Sequence, residues 1–316
     1  MKRWLMFALT LFPAGAALAS CGAAFCTVDT TWSAQGAWTE PGVRFDLRYE
    51  YIDQDQPRAG RRKVGVGEVR QHHDEVRTVN RNWLATVDYA VSDKWGVSAT
   101  LPVLDRHHEH IHNHRGAQLR ETWNFTEVGD LRVLARGLLR SESAEEQRLD
   151  FYGPTLGLKL PTGKHDVRNA GGALAERSLQ PGTGTTDVLF GGYFRRLLGT
   201  GASWFVDASL QKALEEREHF RPGAQASASV GYGRQASHHI AWMVQLNLLH
   251  KYRDRGSEAE PDSTGGNFVF VSPGISWVLT RNLQLYGFVQ LPLYQSVNGV
   301  QLTADWAAVA GISTRF

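Results

Sequence analysis

Beyond its first segment the chain has no run of about 18 apolar residues, the minimum that suggests a transmembrane helix. Cysteine is nearly absent, with 2 in 316 residues, too few to carry a strong metal-site pattern. Neither sign of charge dominates. The 34 basic and 32 acidic side chains leave a formal net charge of +2, which provides no general basic surface for nucleic acid and no acidic tail. The negative mean hydropathy is too polar for a helical membrane bundle. Aromatics are not scarce, and 10 Trp, 14 Phe and 9 Tyr exclude a disordered chain. Hydrophobic residues at 42% and charged residues at 21% resemble an ordinary soluble domain. That resemblance is an average over two opposed faces.

Lys2 and Arg3 form a positive start, Trp4 to Leu18 an apolar stretch, and Ala17-Leu18-Ala19 a small-x-small cleavage pattern. The first 19 residues read as a secretory signal peptide. Lys2 and Arg3 also account for the whole net charge, so the mature chain is formally neutral. Leu18-Ala19-Ser20-Cys21 fits a bacterial lipobox as well, and either reading exports the chain. Residues 20–41 then form a periplasmic N-terminal segment carrying Cys21 and Cys26. In an oxidising compartment the expectation for this pair is a disulfide, with lipidation of Cys21 or a two-thiolate metal site as alternatives.

The mature chain alternates. Val43, Phe45, Leu47, Tyr49 and Tyr51 are apolar, and Arg44, Asp46, Arg48 and Glu50 lie between them. This period of two is a strand with one apolar and one charged face. The pattern recurs through Trp95 to Val103, Leu131 to Leu139, Tyr152 to Leu160, Val188 to Phe194, Trp204 to Leu210, Ala224 to Tyr232, Ile240 to Leu248, Val269 to Trp277, and Leu302 to Phe316. Connections alternate long (53–75, 105–124, 161–184, 212–222, 251–266, 294–301) and short (92–94, 140–148, 196–202, 235–238, 280–282). Long loops at one end and tight turns at the other predict an all-β fold, a transmembrane antiparallel up-and-down β-barrel of about twelve strands over residues 42–316. Closed pairing also satisfies every backbone group in lipid.

Aromatics beside the short turns (Tyr89, Trp95, Tyr152, Phe194, Trp204, Tyr232, Trp242, Trp277) predict a periplasmic girdle. Terminal Phe316, with Thr314, Ile312, Ala310 and Ala308 alternating behind it, resembles the signal read by the outer-membrane barrel assembly machinery. The expected location is the bacterial outer membrane, with lipid as the surrounding partner.

The opposite face assigns Arg44, Asp46, Arg48, Glu50, Asp88, Asp130, Arg132, Arg136, Lys159 and Asp207 to the lumen, with Asn80, Gln245, Asn247, Gln284, Gln290 and Asp305 beside them. They form either a polar constriction that selects small solutes or a charge-paired filling that nearly closes the barrel. The tract 107–114 places His107, His108, His110, His112 and His114 in a long loop. Extended backbone points His108, His110, His112 and His114 to one side, and imidazoles suit Zn, Cu or Ni. His72 and His73 in the neighbouring loop could join them. A solvated polar loop is the alternative.

No cofactor is certain, and no catalytic site is read. Leu160-Pro161-Thr162-Gly163-Lys164 lacks P-loop spacing, and adjacency of Ser237 to His238 and His239 is not triad geometry.

Cys21-Gly22-Ala23-Ala24-Phe25-Cys26-Thr27 before the first strand and Gly157-Leu158-Lys159-Leu160-Pro161-Thr162-Gly163-Lys164 leaving the fifth resemble bacterial outer-membrane transporters. They are similar to the family named for the MetA pathway of phenol degradation. That resemblance implies a barrel over nearly the whole mature chain and uptake of hydrophobic or aromatic compounds. The His-rich tract lies outside it. The expectation is a passive channel or transporter for small solutes, not an enzyme. The alternative is a surface metal-binding protein anchored by a nearly closed barrel.

Overall fold

Strict alternation leaves each strand with one face for lipid and one for the interior, and a sheet with such faces closes on itself. The computed structural model describes residues 42–70, 73–114 and 117–316. The leader, Cys21, Cys26 and His72 lie outside the described residues. The strands are β1 (Gly42–Ala59), β2 (Arg62–Lys63), β3 (His73–Ala90), β4 (Trp95–His114), β5 (Ala117–Val128), β6 (Leu131–Gly137), β7 (Leu139–Ser143) and β8 (Arg148–Leu160). They continue as β9 (Asp187–Leu198), β10 (Ala202–Ala213), β11 (Gln225–Gln235), β12 (Ile240–Lys251), β13 (Gly266–Thr280), β14 (Leu283–Val297) and β15 (Val300–Arg315).

Every pairing is antiparallel, and β15 returns to β1, from Arg44 opposite Arg315 to Ala59 opposite Val300. β5, β6 and β7 are successive pieces of one wall, and β2 is a short arm on β1. The result is a closed barrel of 12 strands.

The outside is apolar where lipid must cover it. Val87, Leu101, Leu156, Phe190, Val206, Val230, Val244, Ile275 and Val289 are all exposed large hydrophobics. Tyr89, Trp95, Tyr232, Trp242, Trp277 and Phe316 form the exposed girdle at the short-turn end. A second girdle stands opposite, where Tyr49 meets Trp83 at 4.8 Å and Tyr51 meets Trp306 at 5.5 Å. Trp306 and Phe316 are about 33 Å apart along the chain at about 3.3 Å per residue. A tilt of about 40° turns this into the roughly 25 Å apolar band of outer-membrane barrels. Just above the second girdle the outward face becomes ionic, with Arg81 paired to Asp105 at 3.6 Å and Arg77 to Asp53.

Two expectations are corrected. Residues 105–124 are not a loop. β4 continues to His114, and β5 pairs back with it from Val103 opposite Val128 to His114 opposite Ala117. Above the lipid an outward side chain no longer has to be apolar, so the alternation fades while backbone pairing continues. Asp305 does not face the lumen either. The register of β1 against β15 shifts between Ile52 and Gln56, a bulge that exchanges inside for outside. Asp305 and Trp306 are exposed, Leu302 is buried, and Asp305 pairs with Lys63 at 2.8 Å.

Candidate functional site

The lumen has two unlike walls. On the β1–β10 side the strand period turns Arg44, Asp46, Arg48, Glu50, Asp88, Arg132, Arg136, Lys159 and Asp207 inward, with Asp130 at the head of β6. Several are paired at once: Arg44 with Asp46 at 3.7 Å, Arg48 with Glu50 at 3.1 Å, and Lys159 with Asp130 at 3.0 Å. Asp187 and Arg195 of β9 also belong to this wall and are buried. The opposite wall is largely uncharged, with Gln245, Asn247, Ser272 and Gln290 buried beside apolar side chains. Phe205, Met243, Tyr286, Phe288 and Val309 form one buried cluster, and Leu249, Phe268, Phe270 and Val297 another. A Cβ on Gly274 would lie 2.3 Å from the Phe288 ring, and one on Gly311 2.3 Å from the Tyr286 ring. Glycine therefore provides the space these inward rings occupy. Tyr286 joins the walls by donating its hydroxyl to Asp46 Oδ1 at 2.9 Å.

Part of the lumen is open. Arg132 is inward, in register with Thr100 and Lys159, yet exposed. Ser209, bonded to Ser227 at 2.8 Å, is likewise inward and exposed. Inward side chains remain accessible only where water-filled space faces them. A cavity of about 460 Å³ opens at the short-turn end, lined by Arg195, Ser203, Gly233, Met243, Ser276 and Gln284.

The motif leaving β8 fixes the long loop 161–186. Thr162 Oγ1 donates to Gly129 O at 3.1 Å and accepts from Leu131 N at 2.8 Å. Asp130 accepts from Gly163 N and Thr183 N, each at 3.0 Å. A Cβ on Gly182 would lie 2.4 Å from Gly163 O, so the two loop stems touch backbone to backbone. Thus Leu160-Pro161-Thr162-Gly163-Lys164 and Pro181-Gly182-Thr183-Gly184 form a loop anchor.

The anchored loop folds into the long-loop mouth. Leu179 and Ala175 pack on Trp123 of β5, and Arg106 Nη1 donates to Leu179 O at 2.5 Å. Here His108 and His110 are buried, 0% and 2% exposed, inside the mouth and not displayed on a loop. His112 points the same way. His107 points outward, 2.5 Å from Asn124 Oδ1, and is apart from the others. The side chain of His114 lies outside the described residues. His73 joins, stacked on His110 with centroids 4.6 Å apart.

Three carboxylates complete this group. Glu75 approaches His108 at 3.9 Å, and Glu176 approaches His110 at 3.7 Å and His73 at 3.6 Å. Glu260, from the loop after β12, has its ligand atom within 4.8 Å of those of His73 and Glu176. Burial and the neighbouring Glu75 push the Glu260 carboxyl up to about 9. Burial, then His110 and Arg106, hold His108 well below the ordinary imidazole value. Glu75 could have been found from sequence by the period of two from His73. Glu176 and Glu260 carry no such signal, because their loops reach the mouth only in the folded chain.

Ser237 and the two histidines after it belong to a turn. Ser237 Oγ accepts from His239 N at 3.4 Å and Ile240 N at 3.2 Å, and His239 Nδ1 lies 3.1 Å from Val278 O.

No family model and no curated protein matches the chain. Among solved structures it is similar to an outer membrane channel from Pseudomonas putida F1. The TM-score is 0.66 at 13% identity, covering 89% of this chain and 97% of that one. The NanC porin is similar at a TM-score of 0.47 and 9% identity, over 86% of this chain and 100% of that one. The fold, its apolar belt and its paired girdles are those of an integral outer-membrane β-barrel.

Proposed function

We propose that this barrel is a passive channel for small solutes, selected by the lumen charges and by the loop folded into the mouth. The observation that carries the reading is the inward Arg132, which keeps accessible surface inside the barrel beside Asp187, Asp130, Glu50 and Arg48. A barrel used only as an anchor has no need of a charge facing open space in its interior. The solved structure it resembles at a TM-score of 0.66 is itself described as an outer membrane channel, which supports the same reading.

Arg132, beside Asp187, Asp130 and Glu50, favours solutes that carry polar groups. Kinship to the MetA-pathway family is part of the proposal, on the two short motifs at Cys21–Thr27 and Gly157–Lys164. The C-terminal Phe316 is, on this reading, the contact for the barrel assembly machinery.

Planar-bilayer recording of the purified chain tests the channel. Discrete conductance steps whose ion selectivity changes on substituting Arg132 are expected. A barrel that folds, shown by heat-modifiable migration, yet conducts nothing across a range of voltages and solutes would overturn the proposal.

A further inference from the structure

We propose that the long-loop mouth holds a first-row divalent transition-metal site, its ligands drawn from His73, Glu75, His108, His110, Glu176 and Glu260. The inference does not depend on whether the barrel conducts.

The donors are the right kind and are already together. The ligand atoms of Glu75, His108 and His110 lie within 4.8 Å of one another, and so do those of His73, Glu176 and Glu260. Glu176 Oε1 links the two groups, 3.6 Å from His73 Nδ1 and 3.7 Å from His110 Nδ1. Tetrahedral ligation with bonds of about 2.0–2.2 Å puts donor atoms about 3.3–3.6 Å apart. The observed spacings need only small movements to meet that. Imidazole with carboxylate and no thiolate suits Zn²⁺ and its neighbours and not a soft monovalent ion.

The outer nitrogens of the two central rings are occupied from behind. Thr78 Oγ1 lies 2.8 Å from His108 Nδ1, and Glu121 Oε2 lies 3.3 Å from His110 Nε2. Without an ion, Thr78 Oγ1 can donate to His108 Nδ1 and His108 Nε2–H to His110 Nδ1, 3.2 Å away. Turning the Thr78 hydroxyl so that it accepts from His108 Nδ1–H frees both inner nitrogens to ligate one ion. Outer-shell partners that fix the tautomer in this way are the usual support of metal-bound histidine.

The three carboxylates add a separate argument. Glu75 and Glu260 are 2% and 6% exposed, and Glu260 Oε2 makes no hydrogen bond. A proton on one carboxyl relieves the repulsion of such neighbours, and a bound divalent cation would let them stay ionised together. They also come from three different parts of the chain: β3, the loop 161–186 and the loop after β12. An ion there would tie both inward loops to the barrel wall.

The test uses the full barrel in detergent, stripped with chelator and titrated with Co²⁺ and then Zn²⁺. Wild type is expected to bind about one equivalent of Co²⁺ with visible d–d absorption, displaced by Zn²⁺, since ligand deprotonation and binding are linked. H108A/H110A should abolish the absorption, and E176Q, a loop substitution outside the barrel wall, should weaken binding by about 10–100-fold. H107A should bind as wild type. Heat-modifiable migration establishes that each variant is folded. A folded wild type that takes up no Co²⁺, or binding lost in H107A but kept in H108A/H110A, would overturn the site.

Discussion

Lys159 Nζ lies 3.0 Å from Asp130 Oδ2 and 3.2 Å from Asp187 Oδ1, with all three side chains less than 8% exposed. The same Asp130 receives the backbone of Gly163 and Thr183. One carboxylate inside the barrel wall thus holds both stems of the loop that fills the mouth. The loop stems are therefore tied to a buried ion pair.

Asp130→Ala should release that loop. Removing one member of a buried pair costs about 3–5 kcal/mol, here taken from the loop anchor and not from the lipid-facing wall. Amides of 163–183 should exchange faster and the loop should become open to proteolysis, while heat-modifiable migration is kept. Unchanged protection of those amides would count against the anchor.

Arg132→Gln should remove a positive charge from the open part of the lumen while keeping a polar side chain of similar reach beside Asp187, Asp130 and Glu50. Reversal potentials under a salt gradient should shift toward cation selectivity. The effect should shrink at high salt, as the screening length falls from about 10 Å at 0.1 M to about 3 Å at 1 M.

Val206 and Ser209 lie on opposite faces of β10. Val206→Arg places a charge in lipid and should cost about 2–4 kcal/mol near midplane. Ser209→Arg faces water and should cost much less. Denaturant midpoints of the barrel refolded in liposomes compare the two. Equal losses would mean that the inside and outside of β10 are wrongly assigned.

Asp53 lies above the outer girdle, where the hydrogen bond from Arg77 holds its carboxyl below the ordinary range. As pH falls, the unfolded carboxylate takes its proton first. The pair's stability is therefore fully present above the unfolded value of about 4 and is lost as pH drops through the lower folded one. Arg77 is half exposed, so the contribution is at most about 1 kcal/mol. Asp53→Asn should lower the denaturant midpoint slightly at neutral pH, by at most about 1 kcal/mol, and flatten its acid dependence, so that variant and wild type converge below about pH 4.

Within the lipid the sequence was legible because lipid imposes a rule on every second residue. Val206, Val230, Val244 and Ile275 are exposed on the outside as the period requires. Above the girdle the rule lapses, so the outer half of β4, with His107 to His114, reads as a loop although it is a paired strand. The inward rings of Phe205, Phe270, Tyr286 and Phe288 were missed for a related reason. Where both faces are apolar, alternation cannot say which one points inside. The bulge that turns Asp305 outward leaves no local signature either.

The sequence by itself determined the barrel, its strand directions, its lipid face and the charges available to the interior. These follow from a period of two and from turn lengths, both local properties of the chain. Only the tertiary structure decided which charges pair, where the lumen stays open, and that His73, Glu75, His108 and His110 meet Glu176 and Glu260 inside the mouth. Those two glutamates arrive on loops whose docking is fixed by contacts distant in sequence, and no pattern along the chain encodes that meeting.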